Sequence, residues 1–219
     1  MKFQILDFGG NPFIGVYARV SEDIGILPDT YADTRCLIEE NLGINVIVST
    51  IGESAVVGSM CAMNKAGVIL PSIATQEEIT LLRKWKNICV INDKLNACGN
   101  NILLTDKKAL LNPEIGKKAE KQLQDVLGIE TMRGTIAGIK TVGMCGVPTE
   151  KALIVHPKIK ETEKKQLKEF FNLQIFEATA NLGTPYIGAC ILANSRGALI
   201  GSRSTSIEIM KIQEALLVP

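Results

Sequence analysis

Six cysteines (Cys36, Cys61, Cys89, Cys98, Cys145 and Cys190) and one histidine, His156, are the residues of this 219-residue chain whose types could do covalent chemistry. A thiolate beside an imidazole makes a nucleophile and its base, and closely spaced thiols bind zinc or exchange disulfides. The spacing suits neither use. No two cysteines stand in a zinc or redox pairing, and His156 directly precedes Pro157, which reads as a turn position rather than a general base. The chain contains no GxSxG, HExxH, P-loop or GxGxxG, and Gly9-Gly10 lacks the strand-glycine-helix context that cradles phosphate. A formal net charge of +1 excludes the strongly basic field of a phosphate-neutralising protein. The pairs Lys107-Lys108, Lys117-Lys118 and Lys164-Lys165 read as solvated turns and helix faces. These residues describe a binding surface, without cofactor or metal.

The elements that would carry such a surface repeat. NPFIGVYARVSEDIGILP and TPYIGACILANSRGALIG, near opposite ends of the chain, share a pattern: a small polar residue, Pro, an aromatic, Ile, Gly and two apolar runs around a polar turn. Intermediate copies lie around Gly58, Gly99 and Gly143, so the anchors Gly15, Gly58, Gly99, Gly143 and Gly188 recur at intervals of 43, 41, 44 and 45 residues. Pro28, Pro71, Pro113, Pro157 and Gly201 close the five copies 13 or 14 residues past their glycines. Each copy reads as a β-hairpin that Pro terminates. Cys61, Cys145 and Cys190 fall two or three residues past their anchors, as small core residues of a strand would.

A helix follows each hairpin. Thr75 with Glu78 and Thr205 with Glu208 have capping-box spacing, and Ala119, Leu123, Val126 and Leu127 share one face ahead of a capping Gly128, as Ile38 and Leu42 do ahead of Gly43. One further strand follows each of the first four helices (residues 45–51, 88–93, 129–136 and 173–180), none follows the fifth, and a strand at 1–8 precedes the first hairpin. A surplus strand at one end and a missing one at the other predict that the N-terminal strand closes a ring. The expected fold is a single α/β domain over residues 1–219, a closed ring of five quasi-identical ββαβ units with pseudo-fivefold symmetry. No run approaches the ~18 apolar residues of a membrane span, and no secretory signal opens the chain, so a cytoplasmic protein is expected.

The stretches IGVYARV, VVGSMCAMNKAGVILP with TQEEI, KLNACGNNILLTD, VGMCGVPTEKALIVHP and STSIEIMKIQEALL resemble the archaeal translation initiation factor 6 family from end to end. The resemblance implies the pentein ring of five α/β units. It also implies a non-enzymatic factor that binds the joining face of the large ribosomal subunit, chiefly through ribosomal proteins and beside the sarcin-ricin loop RNA, and blocks the small subunit. A role in large-subunit biogenesis belongs to the same expectation, as does a monomer that contacts neither DNA nor membrane. Carried over by position, ribosome contacts are expected at Asn11, Ser54 and Thr184, each four before its anchor glycine, and at Ser59 and Asn100, each one after. Lys65 stands where eukaryotic members carry a basic residue, and Asp106 matches an acidic turn position. The phosphorylated tail of eukaryotic members is not expected, since the sequence ends at Pro219. Against this stands a pentein-fold enzyme that modifies guanidino groups through a Cys nucleophile, a His acid/base and acidic residues at the ring centre.

Overall fold

The computed structural model describes residues 1–217. Val218 and Pro219, the end of the expected domain, lie outside the described residues. The chain opens with β1 (Lys2–Leu6) and then repeats one succession of elements. The first unit holds α1 (Ile14–Tyr17), β2 (Arg19–Val20), β3 (Ile24–Leu27), α2 (Arg35–Leu42) and β4 (Asn45–Val48). The second holds α3 (Val57–Met60), β5 (Ala62–Met63), β6 (Gly67–Pro71), α4 (Gln76–Arg83) and β7 (Asn87–Ile91). The third holds α5 (Cys98–Asn101), β8 (Ile102–Leu104), β9 (Lys108–Leu111), α6 (Lys117–Leu127) and β10 (Glu130–Arg133). The fourth holds α7 (Val142–Cys145), β11 (Gly146–Pro148), β12 (Ala152–Val155), α8 (Glu161–Phe171) and β13 (Gln174–Glu177). The fifth holds α9 (Ile187–Cys190), β14 (Ile191–Ala193), β15 (Gly197–Gly201) and α10 (Ser206–Leu216).

Five separate three-stranded sheets result among the described residues. In each, a short strand pairs antiparallel with its hairpin partner, and that partner pairs in parallel with a third strand. In the fifth sheet the third strand is β1, which runs parallel to β15 from Lys2↔Gly197 to Leu6↔Gly201. The parallel partner comes from the far end of the chain, where a crossover helix supplies it in the other four.

The longer helices cover these sheets with one apolar stripe each. α6 buries Ala119, Leu123 and Leu127, α8 buries Leu167 and Phe171, and α10 buries Ile212, Ala215 and Leu216. Each buried Leu, Ile or Phe side chain contributes about 1.5–3 kcal/mol relative to exposure. Val126, expected on the same face of α6, is exposed, because it lies off the Ala119-Leu123-Leu127 line. Gly128 and Gly43 cap α6 and α2 with left-handed φ of 63° and 62°, and the Thr75-Glu78 and Thr205-Glu208 capping boxes are formed.

The hairpins differ from the expected form at their beginnings. The anchor glycines sit inside α1, α3, α5, α7 and α9, one-turn helices that precede strands of only two or three residues. Cys145 and Cys190 end such helices rather than lying within strands, and Cys61 follows one. A four-residue apolar run is too short for its period to separate a helical turn from a strand. The packing explains the glycines. A Cβ at Gly58 would overlap the carbonyl of Gly15, one at Gly99 that of Gly58, one at Gly143 that of Gly99, one at Gly188 that of Gly143, and one at Gly15 that of Gly188. Backbone approaches backbone so closely at all five places that any side chain is excluded.

Candidate functional site

Each short strand has a helical turn at one end and a hairpin turn at the other, so the seven candidate residues separate into two groups. Asn11, Ser54 and Thr184 close tight turns just before the glycine helices, through the bridges Phe8↔Asn11, Ile51↔Ser54 and Ala180↔Thr184. Successive positive-φ residues build these turns: Gly9 and Gly10, Gly52 and Glu53, and Asn181, Leu182 and Gly183. Their polar side chains work inward. Asn11 Nδ2 donates to Tyr17 Oη at 3.0 Å, Asn11 Oδ1 accepts from Phe13 N at 3.0 Å, and Thr184 Oγ1 donates to Asn181 O at 3.3 Å. Ser59 is buried in α3, and Asn100 in α5 has a shielded Oδ1 without a hydrogen-bond partner among the described residues.

Lys65 and Asp106 lie at the opposite ends of β5 and β8, in the hairpin turns. There they meet. Lys65 Nζ stands 3.1 Å from Asp106 Oδ2 and 2.9 Å from Glu150 Oε1, while Lys65 N donates to Asp106 Oδ1 at 3.1 Å. Hydrogen bonds to Glu150 and then Asp106 push the Lys65 ammonium above its ordinary pKa. These side chains are open to solvent, at 50% for Lys65, 35% for Asp106 and 52% for Glu150. Such a cluster contributes little to stability, about 0–1 kcal/mol per pair, which leaves it available for recognition.

The neighbouring turns are tied to this cluster and to one another. Asn64 Nδ2 donates to Thr105 O at 3.1 Å, Lys86 Nζ pairs with Asp23 and donates to Lys65 O, and Ser195 N and Oγ donate to the Glu22 carboxylate. Hairpin turns of all five units are thereby linked into one surface: residues 21–23, 64–66, 105–107, Glu150 and 194–196. Sequence reasoning missed Glu150 and Glu22, whose partners are remote in the chain. An acidic residue at the tip of a recognised hairpin was their one available signal.

The thiols and the imidazole form no catalytic pair. Cys61, Cys89, Cys98, Cys145 and Cys190 are buried, and Cys36 is exposed. Burial pushes Cys61, Cys145 and Cys190 up to about 12. His156 is itself buried and makes a turn: its N donates to Cys145 O at 2.9 Å and its Nδ1 accepts from Lys158 N at 3.0 Å. Burial lowers its pKa. No group of three or more metal-ligating side chains occurs among the described residues.

Known proteins share both the fold and the sequence. The N-terminal domain of ArgZ, a cyanobacterial arginine dihydrolase, superposes with a TM-score of 0.54 at 11% identity, over 85% of this chain and 72% of that one. That likeness concerns the α/β pentein architecture alone. Translation initiation factor 6 of Picrophilus torridus is 40% identical over 93% of this chain and 94% of its own length. Translation initiation factor 6 of Methanosarcina mazei is 39% identical over 97% of each. Together with a match to the eIF-6 family profile over residues 3–215, this identity along nearly the whole length means that the chain belongs to the eIF-6 family, a family of translation initiation factors and not of enzymes.

Proposed function

We propose that this translation initiation factor is one cytoplasmic domain, a monomeric ring of five units closed by β1, and that it docks on the joining face of the large ribosomal subunit. Docked there, beside the sarcin-ricin loop, it blocks the small subunit by occupying the surface through which the two subunits meet. The same occupancy accounts for a part in large-subunit maturation.

The contact is assigned to the face made of hairpin turns. One observation carries this choice: of the seven candidate residues, Lys65 and Asp106 present charged groups to solvent, whereas Asn11 and Thr184 are engaged in their own turns and Ser59 is buried. Fixed turns tied across units offer a surface that needs little ordering on binding. Near-neutral charge suits a contact made mainly to ribosomal proteins.

Sedimentation with archaeal large and small subunits tests the reading. The protein should co-migrate with large subunits only and reduce joined ribosomes in proportion to dose. Lys65→Glu combined with Asp106→Lys should weaken both effects about tenfold or more, through repulsion across a complementary contact, while Asn11→Ala leaves them unchanged. Free protein at the top of the gradient, with joining undiminished, would overturn the proposal. Loss of binding in Asn11→Ala but not in the charge-reversed variant would move the contact to the glycine end.

A further inference from the structure

We propose that the cavity on the axis of the molecule is a binding site for a small oxyanion, a carboxylate or phosphate group held by Arg19. The cavity holds about 580 Å³, within the range of small-molecule sites. Its wall comes from the short strands: Met63, Leu103, Val147 and Leu192 supply apolar surface, and the hairpin turns at Lys65 and Glu150 lie at its edge.

Arg19 is the group without an explanation. Its Nη2 donates to the carbonyls of Gly58 and Gly99, which sets the guanidinium against the backbone of the glycine helices. Nε is shielded from solvent and has no hydrogen-bond partner. No carboxylate pairs with Arg19 among the described residues; the acids lining the cavity sit on the hairpin turns, where Lys65 holds Asp106 and Glu150 and Ser195 holds Glu22. Burial lowers the Arg19 pKa from its ordinary value, yet a guanidinium keeps its proton in proteins. The axis therefore encloses a permanent positive charge, partly met by two carbonyl dipoles and by no anion. Removing such a charge from water is costly unless an opposite charge accompanies it.

The geometry also selects among anions. With Nη2 taken by the two carbonyls and Nε shielded, Nη1 is the guanidinium nitrogen left to donate to an oxygen of a carboxylate or phosphate, and its charge strengthens that bond over one to a neutral group. The apolar wall favours an occupant whose remainder is a short hydrocarbon, and a second cation is disfavoured. A buried charge among apolar walls orients a ligand by its charged end.

Titration calorimetry and protein-detected NMR with four probes test the assignment: sodium phosphate, butyrate, hexanoate and the neutral butyramide. Butyrate or phosphate should bind with a millimolar or better Kd and shift resonances of Met63, Leu103, Val147 and Leu192, and butyramide should not. Tighter binding of hexanoate than of butyrate identifies an organic carboxylate as the occupant; binding of phosphate alone identifies an inorganic one. Arg19→Gln should weaken the anions by about tenfold or more. Because that variant also loses bonds to Gly58 and Gly99, Ala193→Phe, which fills the cavity and leaves Arg19 in place, should abolish binding independently. The proposal fails if no anion binds the unaltered protein, or if binding persists in both variants.

Discussion

Cys36 stands exposed in α2, while the other five thiols are buried. Desolvation penalises a thiolate, so burial pushes Cys89 up to about 11 and Cys61, Cys145 and Cys190 to about 12, with Cys98 higher still. At neutral pH, iodoacetamide should therefore alkylate one thiol per native chain, at Cys36, and six once the chain is unfolded. Intact-mass and peptide spectrometry would read this directly. A second fast-reacting thiol, above all Cys145 beside the His156 turn, would reopen the guanidino-modifying reading. The equivalent spacing of Cys61, Cys145 and Cys190 carried their burial in the sequence, because it tied them to a core position of the repeat. Cys36 belongs to no such register, and nothing local marked it as the outlier.

Between elements, a carboxylate performs one task three times. Glu78 accepts from Thr50 Oγ1 and the amides of Gly52, Glu53 and Thr75; Glu208 accepts from Thr179 Oγ1 and the amides of Leu182, Gly183 and Thr205; Glu163 accepts from Thr135 Oγ1 and the amides of Gly138 and Lys160. Each thus caps its own helix and holds the tight turn ahead of a glycine helix. Burial acts to raise all three carboxyl pKa values, but the combined hydrogen bonds outweigh it and leave them below the ordinary value. A depressed folded pKa contributes stability that is fully present above the unfolded value, about 4.3, and is lost as pH falls through the folded one. Urea midpoints should then be level from neutral pH to about pH 5 and drop below it. Glu208→Gln should cost about 1–3 kcal/mol at neutral pH and flatten the acid limb. An unchanged limb in that variant would remove Glu208 as a contributor. The capping half of this device was legible in Thr75-Glu78 and Thr205-Glu208, since three-residue spacing is a local signal. The turn-holding half was not, because it joins residues 25 to 29 apart.

Across the whole molecule, the chain's two ends meet in one sheet and the glycine helices touch in succession, α9 against α1 included. Counting strands revealed the first feature, since a surplus at residues 1–8 and a deficit after the fifth helix had one economical resolution. The division of the candidate residues between two faces stayed hidden, because positions four before and seven after a glycine look adjacent in sequence while a strand separates them in space. The closure by β1 proposed above would also decide how the molecule unfolds. An open stack of units frays from its ends, with stability summed over neighbours, whereas a closed one has no end to fray. The intact protein should unfold in urea in one transition that fluorescence of Trp85 and far-ultraviolet circular dichroism report together. Deleting residues 1–7 removes the partner of β15 and leaves that strand as an unpaired edge. The truncated chain should unfold at lower urea, with its fifth and first units opening before the third, and it should associate with rising concentration. Native-state hydrogen exchange resolves the order: protection lost first in β14, β15 and β3 supports closure by β1, whereas protection lost equally throughout, or an unmoved midpoint, would mean that β1 is an appendage on an already complete assembly.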